Sequence, residues 1–178
     1  MDFADEYMRH HRVLWVVAFG VVANAADADD ILQEAAIAGL RRFDSFAPGT
    51  NFRAWMAEIV RFCALNYRRS KRRQSSFLDR NTDPASIGVA PSESGPSPVG
   101  IGGQLRDSQG HLDDRLTSAL ERLDPTARAC VLLRCIESLG YDEISLILGI
   151  PPGTAMSHVF RARRQLSTDL LQARSLEG

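Results

Sequence analysis

No run in this 178-residue chain approaches the roughly 20 consecutive apolar residues that a membrane-spanning helix needs. The N-terminus, MDFADEYMRHHR, also lacks the basic-then-apolar order of a secretion signal. The expectation is a cytoplasmic protein with no membrane insertion. Cysteine is scarce: Cys63, Cys130 and Cys135 are odd in number, contain no Cys-x-x-Cys pair and fall on apolar helical faces, which predicts reduced, buried thiols rather than disulfides. His10, His11, His111 and His158 are scattered, so no metal site is expected. There is no nucleophile–base pair and no phosphate-binding glycine loop, which argues against an enzyme and leaves no catalytic residue or cofactor to name. Alternating strand patterns and internal repeats are missing as well, so the expected fold class is all-α.

Net charge is only −1, but that total hides a segregation. Between positions 53 and 73 the residues Arg53, Arg61, Arg68, Arg69, Lys71, Arg72 and Arg73 face only Glu58, whereas the first fifty residues are acidic. Adjacent like charges repel unless a polyanion neutralises them, and local rather than total charge decides nucleic-acid binding. A hydrophobic content of 44% is enough for a packed core.

Helical spacing organises the rest. Phe3, Tyr7, Leu14, Val17, Ala18 and Val21 mark one face of a helix from about Asp2 to Val22, ended by the capping residues Asn24 to Asp27. In the next helix Ile31, Leu32, Ala35, Leu40 and Phe43 are expected inside, and Asp27, Asp30, Gln33, Glu34 and Arg41 outside. The stretch DSFAPGTN, with Pro48 and Gly49, is a loop. Phe52, Trp55, Met56, Ile59, Phe62 and Cys63 then begin a third helix, which runs into RRSKRR. On its apolar face Trp55 reads as core.

The pattern is lost from about 74 to 110, where four prolines, six glycines and many serines predict a flexible linker. The chain therefore divides into a domain over 1–73, a linker over 74–110 and a domain over 111–178. In the second domain Leu112, Leu116, Leu120 and Leu123 form one stripe. Asp124-Pro125 interrupts it, and Ala127, Val131, Leu132, Cys135 and Ile136 form another.

The most informative stretch is YDEISLILGIPPGTAMSHVFRARRQL, from Tyr141 to Leu166. Ile144, Ile147 and Leu148 define a short helix, Gly149 can take the left-handed turn that ends it, and Pro151-Pro152 cannot continue it. Thr154 can cap or open the next helix, where Val159, Ala162 and Leu166 face inward while Ser157, His158, Arg161 and Arg164 point largely elsewhere. This is a helix-turn-helix, whose second helix enters the major groove.

In this order the segments resemble the extracytoplasmic-function (ECF) sigma factors over nearly the whole chain. DADDILQEAAIAGLRRFDSF is similar to that family's polymerase-binding helix, FRAWMAEIVRFCALNYRRSKRR to the helix that opens and reads the minus-ten element, and the segment from Leu120 to Leu166 to the domain that reads the minus-thirty-five element. The resemblance implies a subunit that binds core RNA polymerase through Asp30, Gln33 and Glu34, where an exposed acidic and amide patch suits a basic coiled-coil partner. It implies that Ser45 and Asn51, in a loop that captures an extruded base, act with Arg61, Asn66, Arg69, Lys71, Arg72 and Arg73 on double-stranded promoter DNA and the melted single strand. Thr154, Ala155, Ser157, His158, Arg161 and Arg164 become candidates for groove and backbone contacts.

It implies an anti-sigma factor as a partner too. The chain departs from the family pattern at Glu58, Phe62, Gly140, Met156 and His158, so promoter sequence cannot be carried over. A flexible linker of roughly 35 residues relaxes to about 30–35 Å, whereas two sites two helical turns apart are about 70 Å apart. Polymerase is thus expected to hold the domains at the working separation, and the free chain to bind DNA weakly. The alternative is a stand-alone helix-turn-helix regulator, which would normally dimerise and would give no use to the acidic patch or the linker.

Overall fold

The computed structural model describes residues 2–47, 49–80 and 110–175, without side chains at 75–80, 110–114 and 172–175. The described residues form helices and no strand: α1 (Phe3–Val22), α2 (Ala25–Arg42), a single 3₁₀ turn (Phe43–Ser45), α3 (Phe52–Arg80), α4 (Gly110–Glu121), α5 (Pro125–Cys135), α6 (Tyr141–Leu148) and α7 (Pro152–Ser175). The first three helices pack on one another as one unit, and α4 to α7 form a second. Most of the expected linker lies outside the described residues. Its first residues, expected to be irregular, continue α3 as far as Arg80.

Local chemistry sets the helix ends. Asp2 caps α1 by accepting from Ala4 N, and Asn24 caps α2 by accepting from Asp27 N at 2.9 Å. Asn51 accepts from Ala54 N at the start of α3, and Asp124 accepts from Thr126 N and Ala127 N before Pro125 opens α5. At α6 the N-cap is Gly140, which has no side chain to offer, and the Glu143 carboxylate accepts the Gly140 N–H instead at 2.9 Å. Gly149, at φ 63°, ends α6 as its spacing suggested. Thr154 does not open α7, which begins two residues earlier at Pro152.

Leu14, Ile31, Met56 and Val60 are fully buried in the first unit, and Cys130, Leu133, Ile144, Ile147 and Val159 in the second. An aromatic cluster of Phe3, Phe43, Phe46, Phe52 and Trp55 closes one end of the first unit. Several expected core residues sit outside: Leu40, Leu116 and Ile136 are exposed, and so is Cys135 at the C-terminal end of α5. A stripe near a helix end outruns the element that covers it, and periodicity alone does not show where the cover stops.

The two units do not stand apart. α1 packs along α5 and α3 along α6, so the buried core is continuous between them. The sequence reading assigned Val13, Val16 and Gly20 to no face, yet all three are buried. They form a second apolar stripe on α1, and Gly20 on that stripe abuts Ala129 of α5.

Candidate functional site

Three surfaces gather the candidate residues. On α2, Asp30, Gln33 and Glu34 are all exposed. Ile37, 55% exposed, follows Asp30 by seven residues on the same helical face, and Leu40 extends it. The acidic patch therefore has an apolar continuation that the sequence reading missed by placing Leu40 in the core. The opposite edge of α2 is tied down: Asp27 accepts from Tyr67 Oη at 2.7 Å and Lys71 Nζ at 2.8 Å, and Trp15 Nε1 donates to Asp29 at 2.7 Å.

The second surface is a cleft of about 730 Å³ beside the loop before α3. Ser45, Thr50, Asn51, Trp55, Glu58 and Arg61 line one side, and Leu146, Ile147 and Gly149 of α6 the other. Trp55 is partly exposed here rather than fully buried, its ring 5.0 Å from that of Phe46. Ser45 Oγ donates to Arg42 O and Asn51 Oδ1 caps α3, so both side chains are positioned before any ligand arrives. Along α3, Asn66, Arg69, Lys71, Arg72 and Arg73 are exposed and Arg61 partly so. They are not equivalent. The Asp27 hydrogen bond raises the pKa of Lys71 and the same partner raises that of Tyr67, so Lys71 already has an anion. Phe62, 59% exposed, stands on the same outward side.

The third surface is the outer face of α7. Ser157, Arg161 and Arg164 are exposed, while Thr154 and His158 are partly so. Ala155 is a correction: it is fully buried with Val159 and Ala162, because it occupies the inward row of the helix, and its methyl cannot meet a base. Ser157 Oγ donates to Gly153 O and Arg161 Nε to Ser157 O, which holds both against the helix. Met156 and Phe160, one turn apart, border a groove with Tyr141, Arg163 and Arg164. Phe160 is 70% exposed. Phe160 was not among the candidates, but it follows Ser157 at i+3, and its place on the outward face was legible from that spacing.

Among the described residues no cluster of three His, Cys, Asp or Glu side chains is placed to hold a metal, and no helix is long and apolar enough to cross a membrane. An acidic helix face, a basic helix beside a loop-lined cleft and a helix-turn-helix follow one another along the chain, the arrangement of a transcription factor.

Comparison with known proteins agrees. Residues 7–74 match the family described as sigma-70 region 2, and residues 113–166 match sigma-70 region 4. The ECF RNA polymerase sigma-E factor of Escherichia coli K12 is 30% identical over 146 residues, 80% of this chain and 73% of that protein. CarQ, an RNA polymerase sigma factor of Myxococcus xanthus, is 29% identical over 92% of this chain and 86% of its own. The ECF sigma factor SigE of Mycolicibacterium smegmatis is 34% identical over 91% of this chain, which spans 59% of that relative's length.

In fold the chain is similar to the sigma factor RpoE solved with the anti-sigma factor NepR from Bartonella quintana, with 23% identity, a TM-score of 0.60 and coverage of 95% and 96% of the two chains. It is similar also to CnrH solved with the cytosolic domain of CnrY, with 23% identity, a TM-score of 0.59 and coverage of 96% and 88%. The chain belongs to the ECF RNA polymerase sigma factors and directs transcription initiation by RNA polymerase from promoter DNA.

Proposed function

We propose that Asp30, Gln33 and Glu34, extended by Ile37, form the face that docks on core RNA polymerase. The observation that carries this is their shared exposure on one side of α2, the helix whose other sides are packed on α1 and α3. An acidic rim beside an exposed isoleucine suits a basic helical partner, with charge guiding the encounter and the apolar residue holding it. The domain over 1–73 then handles the minus-ten element. Ser45 and Asn51 meet an extruded base in the cleft, and Arg61, Asn66, Arg69, Lys71, Arg72 and Arg73 hold phosphates and the displaced strand.

The domain from 110 onward reads the minus-thirty-five element through Thr154, Ser157, His158, Arg161 and Arg164, with Phe160 beside them for a thymine methyl. The chain works in the cytoplasm as a non-catalytic specificity subunit. One relative in fold, RpoE, is in complex with the anti-sigma factor NepR, and the exposed apolar residues Met156 and Phe160 offer such a protein a hold on the DNA-reading face. The test is run-off transcription with core polymerase on a randomised promoter library. Enriched promoters should share two elements at fixed spacing, and Asp30→Ala/Glu34→Ala should lose polymerase retention and transcripts together. Retention and transcription unchanged in that variant would place the docking face elsewhere.

A further inference from the structure

The outward row of α3 carries more than cations. Trp55, Phe62 and Arg69 recur every seven residues, which returns each to nearly the same side of the helix two turns on, and Arg73 closes the row one turn later. Phe62 is 59% exposed and Leu65 beside it 42%. Single exposed apolar side chains are ordinary, but this ring lies between a partly exposed tryptophan in the cleft wall and two exposed arginines. Among the described residues no ring or cation is stacked on Phe62. One turn before it, Glu58 lines the rim of the same cleft, exposed and without an ion-pair partner among the described residues. A carboxylate repels phosphates, so it meets a strand favourably only at a base edge that donates.

We propose that Phe62 is a stacking platform for one unpaired base of the melted strand and that Glu58 reads the edge of that base. This role rests on the minus-ten assignment above and deepens it. The occupant follows from the row: Arg69 and Arg73 hold phosphates beyond Phe62, the cleft takes a base on its other side, and an aromatic ring in line with a cationic track is the combination that binds single strands. Trp55 and Phe62 are about 10.5 Å apart along the helix axis at 1.5 Å per residue, room for about three nucleotides at the 3.4 Å spacing of a stacked strand. The base on Phe62 is therefore a different one from the base that Ser45 and Asn51 meet. Stacking alone tolerates any sequence, since every base has a π-face. Glu58 supplies the discrimination. Guanine offers the carboxylate an N–H and an amino group, and cytosine and adenine offer an amino group, whereas thymine offers a single N–H between two carbonyls that the carboxylate repels. The nucleotide on Phe62 is thus an amino-bearing base, and thymine is excluded.

The test uses the full chain in complex with core polymerase and a labelled promoter fragment enriched from the library, held open by mismatches across the minus-ten element. Single abasic substitutions are walked along the exposed strand. Two positions should be sensitive, one for the cleft and one for the ring, and Phe62→Ala should silence only the second. At that position the abasic site should weaken wild-type binding about tenfold, the scale of one base–aromatic stack. Phe62→Ala on the intact strand should show the same loss, and Phe62→Trp should recover it. Thymine at that position should bind the wild type about tenfold less tightly than the best amino-bearing base, and Glu58→Gln, whose amide can also donate to a thymine carbonyl, should bring the four bases within about threefold.

Unchanged binding in Phe62→Ala, or a loss that is simply additive with the abasic site, would overturn the stacking role. So would an equal loss on the fully paired fragment. Loss of polymerase retention in Phe62→Ala would give the ring to a protein contact and overturn the proposal as well. Discrimination against thymine that survives Glu58→Gln would remove Glu58 from it. A wild-type complex that showed no sensitive position anywhere in the open element would strike the minus-ten assignment itself, and the role of Phe62 with it.

Discussion

Arg128 is the buried charged residue of the described chain, 4% exposed, and it has no carboxylate partner. Its guanidinium instead donates to four carbonyls: Leu120 O at 2.7 Å, Glu121 O at 3.1 Å, Leu123 O at 2.9 Å and Gly20 O at 3.0 Å. Three of these close the C-terminal end of α4, where unpaired carbonyls concentrate partial negative charge. Burial, and then the nearby Arg68, push the Arg128 pKa down, so the site bears a desolvation cost that the carbonyls must offset. Arg128→Met keeps the length of the side chain and removes every donor. Hydrogen bonds to a charged group contribute about 1.5–3 kcal/mol each, and a stranded buried carbonyl costs about 1–3 kcal/mol. Set against the recovered cost of burying the charge, the expected net loss is about 3–5 kcal/mol, a large part of a small domain's stability.

The chain supplies its own two probes. Both tryptophans, Trp15 and Trp55, lie in the first unit, whereas circular dichroism at 222 nm reports helices of both. In urea titrations of Arg128→Met, the dichroism curve should gain an early phase from the second unit. The tryptophan curve should shift only by the value of the single bond to Gly20, about 1 kcal/mol. A loss under about 1 kcal/mol, with coincident curves, would refute the assignment of Arg128 as the closure of α4.

Removing Arg69 should weaken single-stranded DNA binding by the polymerase complex more than removing Lys71, because Lys71 already faces Asp27, and titrations at several salt concentrations should show the smaller change in slope for Lys71→Ala. With a thiol-specific dye the native chain should label rapidly only at exposed Cys135, since burial, with Asp124 behind it, pushes the Cys130 thiol up to about 12 and burial raises that of Cys63; fast labelling of all three would contradict the packing. The hydrogen bond from Arg53, then that from the Gly140 N–H, hold the Glu143 carboxyl below its ordinary 4.5. Its contribution to stability is therefore fully present above that value and is lost as pH falls through the depressed one, so the urea midpoint of Glu143→Gln should fall below that of the wild type at neutral pH and converge with it in acid.

The sequence by itself determined the helices, their order and most of their ends, because caps, prolines and 3.6-residue spacing are local properties of neighbouring residues. It also determined the family, since the acidic patch around Asp30, the basic run from Arg68 to Arg73 and the hairpin around Gly149 are contiguous signals. What it did not carry were the positions decided by what lies across from them. Leu40 and Cys135 have the spacing of core residues but no covering element, Ala155 sits among DNA-facing candidates but turns inward, and Phe160 is exposed although apolar. Gly20 is the plainest case. In the chain it is a glycine inside a helix, and only the arrival of Ala129, more than a hundred residues later, makes it the place where two helices touch. Burial belongs to pairs of surfaces, and the second surface of each pair exists only once the chain has folded.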